Sequence, residues 1–123
     1  MTIRLELAPT ATFPQGSASR AYLLRVPVRD DGRIDAAALG RSPLRATARR
    51  FWSPEPDKFG NVENDNGLWV LRWKGSANES CGAIESGPFR LDSQIAVSEA
   101  DGTMNEFRVA SMRAIGWAAS AKS

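Results

Sequence analysis

Apolar residues fall at every second position in three separate stretches, and this period constrains the fold more than any other feature of the chain. Ile3, Leu5 and Leu7 alternate with Thr2, Arg4 and Glu6. Trp69, Leu71 and Trp73 alternate with Leu68, Val70 and Arg72, and Phe107, Val109 and Ser111 alternate with Arg108 and Ala110. Successive side chains of an extended backbone point to opposite faces, so each stretch reads as a strand with one buried face.

The remaining segments are read between these anchors. Thr10 to Ser19 carries Pro14, Gly16 and several hydroxyl residues and reads as turns, with Phe13 as its apolar anchor. Tyr22, Leu24, Val26 and Val28 share one face of a strand over 21–28, and Pro27 confines its end to an edge or a bulge. Asp30-Asp31-Gly32 turns the chain, and Asp35 can cap a short helix from Ala36 that Gly40 is placed to end. Over 44–52, Ser42-Pro43 could open a helix, whereas Thr47, Phe51 and Trp52 favour a strand. The strand reading puts Leu44, Ala46, Ala48, Arg50 and Trp52 on the inner face and Arg45, Thr47, Arg49 and Phe51 outside.

Residues 53–66 are broken by Pro54, Pro56 and Gly60 and read as a loop, with at most a short strand at Asn61 to Glu63. Asn66-Gly67 is a tight-turn dipeptide leading into the strand Leu68 to Lys74. Residues 75–87 read as a polar surface excursion. A hairpin follows, Gln94 to Ser98 and Met104 to Met112 around Ala100-Asp101-Gly102. The expectation is a single β domain over 1–117 with a frayed tail over 118–123. It is mainly β, a small, partly open barrel or strongly bent antiparallel sheet of about six strands with one short helix, because closure removes exposed edges. A two-sheet sandwich is the alternative.

Composition narrows the function classes. The 123 residues are 42% hydrophobic and 24% charged, an ordinary globular balance. Sixteen Lys and Arg against 14 Asp and Glu leave a net charge of only +2. The isoelectric point of 9.1 overstates this basicity, because without histidine little titrates between the carboxylates and the amines. The lone Cys81 forms no intramolecular disulfide, and without histidine no thiolate–imidazole zinc site assembles. The first residues are charged at alternate positions, unlike a secretory signal, and no stretch approaches the apolar length of a membrane span. A soluble cytoplasmic protein without a membrane partner is expected.

Four stretches carry a resemblance. They are the Leu-Ala-Pro start through Phe13-Pro14-Gln15-Gly16-Ser17, then Gly32-Arg33-Ile34-Asp35-Ala36-Ala37, then Arg49-Arg50-Phe51-Trp52, and the closing Ile95 to Met112 hairpin with Phe107-Arg108-Val109. In these the chain resembles a family of small uncharacterised bacterial proteins, mostly proteobacterial and of unknown function. That family carries more histidine and acidic residues around its middle loop than this chain, which has no histidine. The resemblance implies no activity, cofactor or substrate.

Without histidine the usual Ser–His and Cys–His pairings cannot be built, so Cys81 reads as incidental. Paired acids at Asp30/Asp31, Glu55/Asp57, Glu63/Asp65 and Glu99/Asp101 sit in expected turns, where such groups are ordinarily solvated or bonded to their own backbone. No catalytic residue, metal ligand or cofactor is assigned. The candidate binding residues are basic and aromatic: Arg45, Arg49, Arg50, Trp52, Arg72 and Lys74. Arginine beside aromatics is the chemistry of phosphate contact and base stacking on single strands. The competing reading buries Trp52, Trp69 and Trp73 in the core and pairs the arginines with Glu55, Asp57 or Glu63. The leading expectation is a non-catalytic binding or interaction module, monomeric or homodimeric, with an unidentified protein or small-molecule partner. A weak single-stranded nucleic-acid binder and a small enzyme using loop carboxylates are the alternatives.

Overall fold

The computed structural model describes residues 1–75, 80–85, 87–99 and 101–114. Eight antiparallel strands form a closed barrel in sequence order: β1 (Thr2–Leu7), β2 (Ser17–Arg25), β3 (Thr47–Trp52), β4 (Glu55–Asp65), β5 (Leu68–Trp73), β6 (Ser80–Ile84), β7 (Gln94–Ser98) and β8 (Met104–Arg113). β8 returns to pair with β1, from Thr2 opposite Arg113 to Leu7 opposite Phe107. A short helix α1 (Ala36–Arg41) and one 3-10 turn (Pro43–Arg45) lie between β2 and β3. The expected barrel with one helix is therefore present, but it is closed and has eight strands.

An eight-stranded barrel is just wide enough inside for side chains to fill. Here the filling comes from the alternating residues: Ile3, Leu5 and Leu7 of β1, Tyr22 and Leu24 of β2, Trp69, Leu71 and Trp73 of β5, and Phe107 and Val109 of β8 are all buried. Val62, Ile84, Ile95 and Val97 complete the core from β4, β6 and β7. Trp69 and Trp73 are core residues, as their shared face implies.

One end of the barrel is plugged by the β2–β3 connection. Asp35 accepts a hydrogen bond from the Ala38 amide at 3.0 Å and starts α1, which presents Ala38 and Leu39 to the interior. Gly40 lies within the helix, and Ser42 caps its C-terminus. Val26 and Ile34 are buried beside it, with Val28 bridged to Ile34. Phe89, from the β6–β7 loop, is buried too, and its amide donates to the Gly32 carbonyl at 2.8 Å, tying two distant loops into the plug.

The two extra strands lie in segments whose sequence reads as loop. β4 runs through 55–65, and among its residues only Gly60 and Val62 are buried. It is held by backbone pairing to β3 and β5 and by cross-strand ion pairs, neither of which leaves an apolar period to read. Gly60 marks the tightest approach: a Cβ there would sit 2.1 Å from the Arg72 carbonyl oxygen. β6 occupies 80–84 of the expected excursion, and Gly82 and Ile84 on it face the interior. Asn66 and Gly67, with φ of 53° and 89°, make the tight β4–β5 turn.

Two face assignments also change. Leu44 is 85% exposed, because the 3-10 turn opened by Pro43 precedes the strand and takes it off the inner face. In β8 the register slips between Val109 and Ser111 where they meet β1, so Ser111 turns outward and Met112 packs against the core. The expected tail over 118–123 lies outside the described residues.

Candidate functional site

The strand alternation of β3 separates the six candidate residues. Arg50 and Trp52 point into the barrel, Arg49 points out, Arg72 lies outside on β5, Lys74 follows β5, and Arg45 sits on the 3-10 turn. They do not form one site. The pairings expected of structural arginines are present: Arg49 with Asp57 at 2.8 Å, Arg50 with Glu55 at 3.1 Å and Arg72 with Glu63 at 2.9 Å. Arg72 also reaches the Cys81 sulfur at 3.4 Å.

Arg50 is the only charged residue in the described core and is 5% exposed. It lies at the end opposite the plug, where its Nη2 donates to Glu99 at 2.5 Å and its Cζ lies 4.4 Å from the Trp52 ring centre. The Tyr22 hydroxyl donates to the other Glu99 oxygen. The Tyr22 ring stacks on Trp73 at 6.1 Å and meets Phe107 edge-on at 5.1 Å. Burial, and then the hydrogen bond to Glu99, pushes the Tyr22 phenol well above its ordinary value. For Arg50, burial would lower the pKa, but the Glu99 charge and hydrogen bonds with Glu55, Tyr22 and Glu99 outweigh it, and the guanidinium is held more firmly protonated.

The carboxylates, the phenol and both terminal nitrogens of Arg50 are engaged with the chain itself, and Arg50 Nε is buried without a hydrogen-bond partner among the described residues. Glu99 opens the β7–β8 turn, where its amide donates to Thr103 and its carbonyl accepts from Gly102. Arg50 and Tyr22 thus clamp that turn to the barrel end. Glu55 and Glu99 are opposed carboxylates, yet both are satisfied by one guanidinium rather than set against each other across a cleft. Asp31 and Asp101 are held below the usual carboxylate range chiefly by the backbone amides of Arg33 and Thr103, as turn acids bonded to their own backbone.

A different surface has open space. On the outside of the barrel, a groove of 940 Å³ crosses β8, β1, β2, β3 and β4. Among the described residues five cations line it, Arg4, Arg25, Arg49, Lys74 and Arg113, and no acid does, although the chain as a whole nearly balances 16 cations with 14 acids. Leu23, Phe59 and Met112 supply its apolar patches.

The strand register builds this groove in two rows. In one, Arg113 lies opposite Thr2, Thr2 opposite Arg25, and Arg25 opposite Thr47. In the other, Arg4 lies opposite Leu23, Leu23 opposite Arg49, and Arg49 opposite Phe59, whose carbonyl accepts from the Lys74 amide at 2.8 Å. Neighbouring strands lie ~4.8 Å apart, so cations two strands apart are spaced by roughly 10 Å. Arg4 is paired with Glu6 and Arg49 with Asp57, but among the described residues no carboxylate pairs with Arg25, Lys74 or Arg113.

Of the six candidates, then, the groove keeps Arg49 and Lys74 and adds Arg4, Arg25, Phe59 and Arg113. Arg4 and Arg25 had a readable signal, an outward position on an alternating strand. Arg113 had none, since only the β8–β1 closure brings it beside Thr2. Among the described residues no cluster of His, Cys, Asp and Glu could hold a metal ion, and no helix is long and apolar enough to cross a membrane. In comparisons with known proteins, no family model, no curated protein and no solved structure matches this chain.

Proposed function

We propose that the chain is a non-catalytic binding module that holds an anionic partner on the outside of its barrel, in the groove across β8, β1, β2, β3 and β4. The observation that carries this reading is the convergence on one groove of three exposed cations, Arg25, Lys74 and Arg113, that pair with no carboxylate among the described residues, which also place no acid in that groove. Like charges held close repel one another, and a fold with nearly balanced charge could have interspersed them with acids. The barrel interior is occupied by its own side chains, and the terminal nitrogens of the buried Arg50 are paired internally with Glu55 and Glu99. In this reading the module works in the cytoplasm, in keeping with its single thiol.

The test is calorimetric titration of the protein with a panel of anionic probes, namely an oligothymidylate, a polyglutamate and inorganic phosphate. At least one binds, more weakly as salt rises, and the triple variant Arg25→Glu, Lys74→Glu, Arg113→Glu loses it. Equal binding by the triple variant, or no binding by any probe at low salt, contradicts the proposal.

A further inference from the structure

The groove holds more than charge, and the rest of its chemistry narrows the occupant. Resting on the groove reading above, we infer that the occupant is a single-stranded nucleic acid, with phosphates on Arg25, Arg113 and Lys74 and a base stacked on Phe59. Phe59 is 53% exposed, one of the few large apolar side chains left in water. It lies between Arg49 and Lys74 in the register. The Arg49 guanidinium lies 4.8 Å from the Phe59 ring centre and 4.6 Å from that of Phe51, so it bridges two rings rather than standing free. Its Nη2 is fixed to Asp57 at 2.8 Å. Arg49 is therefore a support that holds the Phe59 ring in place, and the cations on either side, which pair with no carboxylate among the described residues, are the ones to take phosphates.

This pairing of a supported, exposed ring with Lys74 beside the next strand, Arg25 two strands away and Arg113 four strands away separates the candidate occupants. A purely acidic peptide such as polyglutamate uses the cations and has no use for the ring. A duplex offers phosphates, but its bases are stacked on each other and cannot reach a phenyl group on the floor of a groove. A single strand offers both phosphates and unstacked base faces, and aromatic platforms beside a basic track are how such strands are held without sequence preference.

Fluorescence anisotropy with a labelled oligothymidylate of about 12 nucleotides, within the usual span of a small binding domain, tests the inference. A duplex of the same length and a polyglutamate serve as competitors. Neutralising three phosphates on a single strand gives a log–log salt slope of about −2, close to 0.7 per contact. Phe59→Ala weakens binding by about 5- to 150-fold at unchanged slope, the range measured for loss of one base–aromatic stack. Phe59→Trp keeps the affinity, which separates stacking from any fault in folding, and Lys74→Glu flattens the slope. If polyglutamate or the duplex competes as well as the single strand, or Phe59→Ala binds like the wild type, the inference is overturned while the anionic groove stands. If no probe binds, both fall.

Discussion

Arg49 and Arg50 are adjacent on one strand and belong to different parts of the molecule. Arg50 points inward, where Glu55, Glu99 and the Trp52 ring surround it and Tyr22 shares its Glu99 partner. Arg49 points outward and supports Phe59 in a groove rimmed by cations that pair with no carboxylate among the described residues. The difference comes from the two-residue period of an extended chain: identical side chains one position apart meet a closed interior and an open surface. A buried charge is part of the barrel's own assembly, whereas charge left unpaired outside is available to a partner.

The largest expected effect tests the inner half of this comparison. Replacing Arg50→Met leaves Glu99 half-buried beside Tyr22 without its cation, and the barrel loses about 2–4 kcal/mol, the range for orphaning a largely buried ion pair and reduced here by the exposure of Glu55. Urea unfolding followed by near-ultraviolet circular dichroism reads this loss directly, because Trp52, Trp73 and Tyr22 pack together there. Oligothymidylate binding by the folded variant stays unchanged.

A smaller effect comes with alkali. The Tyr22 phenol holds its proton more tightly in the folded chain than in the unfolded one. Its contribution to stability is therefore fully present below the free phenol value of about 10 and fades as the pH rises beyond it. Wild type loses stability above that pH more steeply than Tyr22→Phe, and chemical denaturation at a series of alkaline pH values shows the divergence. Parallel curves for the two proteins would mean that the phenol is not held as described.

The smallest effect on folding belongs to the outer half. Arg49→Ala removes a partly exposed ion pair and ring contacts and changes stability by no more than about 1 kcal/mol. The same variant weakens oligothymidylate binding, because Phe59 loses its support. The order of the two arginines thus inverts between the stability assay and the binding assay, and a shared order would break the comparison.

How much of this was legible follows from what each residue contributes. Ile3, Leu5, Leu7, Trp69, Leu71, Trp73, Phe107 and Val109 fill the interior, so their alternation reveals their strands. Asp35 and the Asn66-Gly67 pair have local geometries that their residue types announce. β4 and β6 were hidden because their neighbours hold them by backbone pairing, with glycines at the tightest positions and, for β4, ion pairs on the outside. The pairing of Arg49, Arg50 and Arg72 with Asp57, Glu55 and Glu63 was readable from charge and proximity along the chain. The groove was not, because Arg113 is far along the chain from Arg4 and Arg25 and meets them only through the β8–β1 closure.

The most direct test is amide chemical-shift mapping of the labelled protein during titration with oligothymidylate. The account expects shifts at Arg25, Phe59, Lys74 and Arg113, on the outer face, with Tyr22, Trp52 and Glu99 unmoved. Shifts concentrated at Tyr22, Trp52 and Glu99, with the groove silent, would place the site at the barrel's end and contradict it.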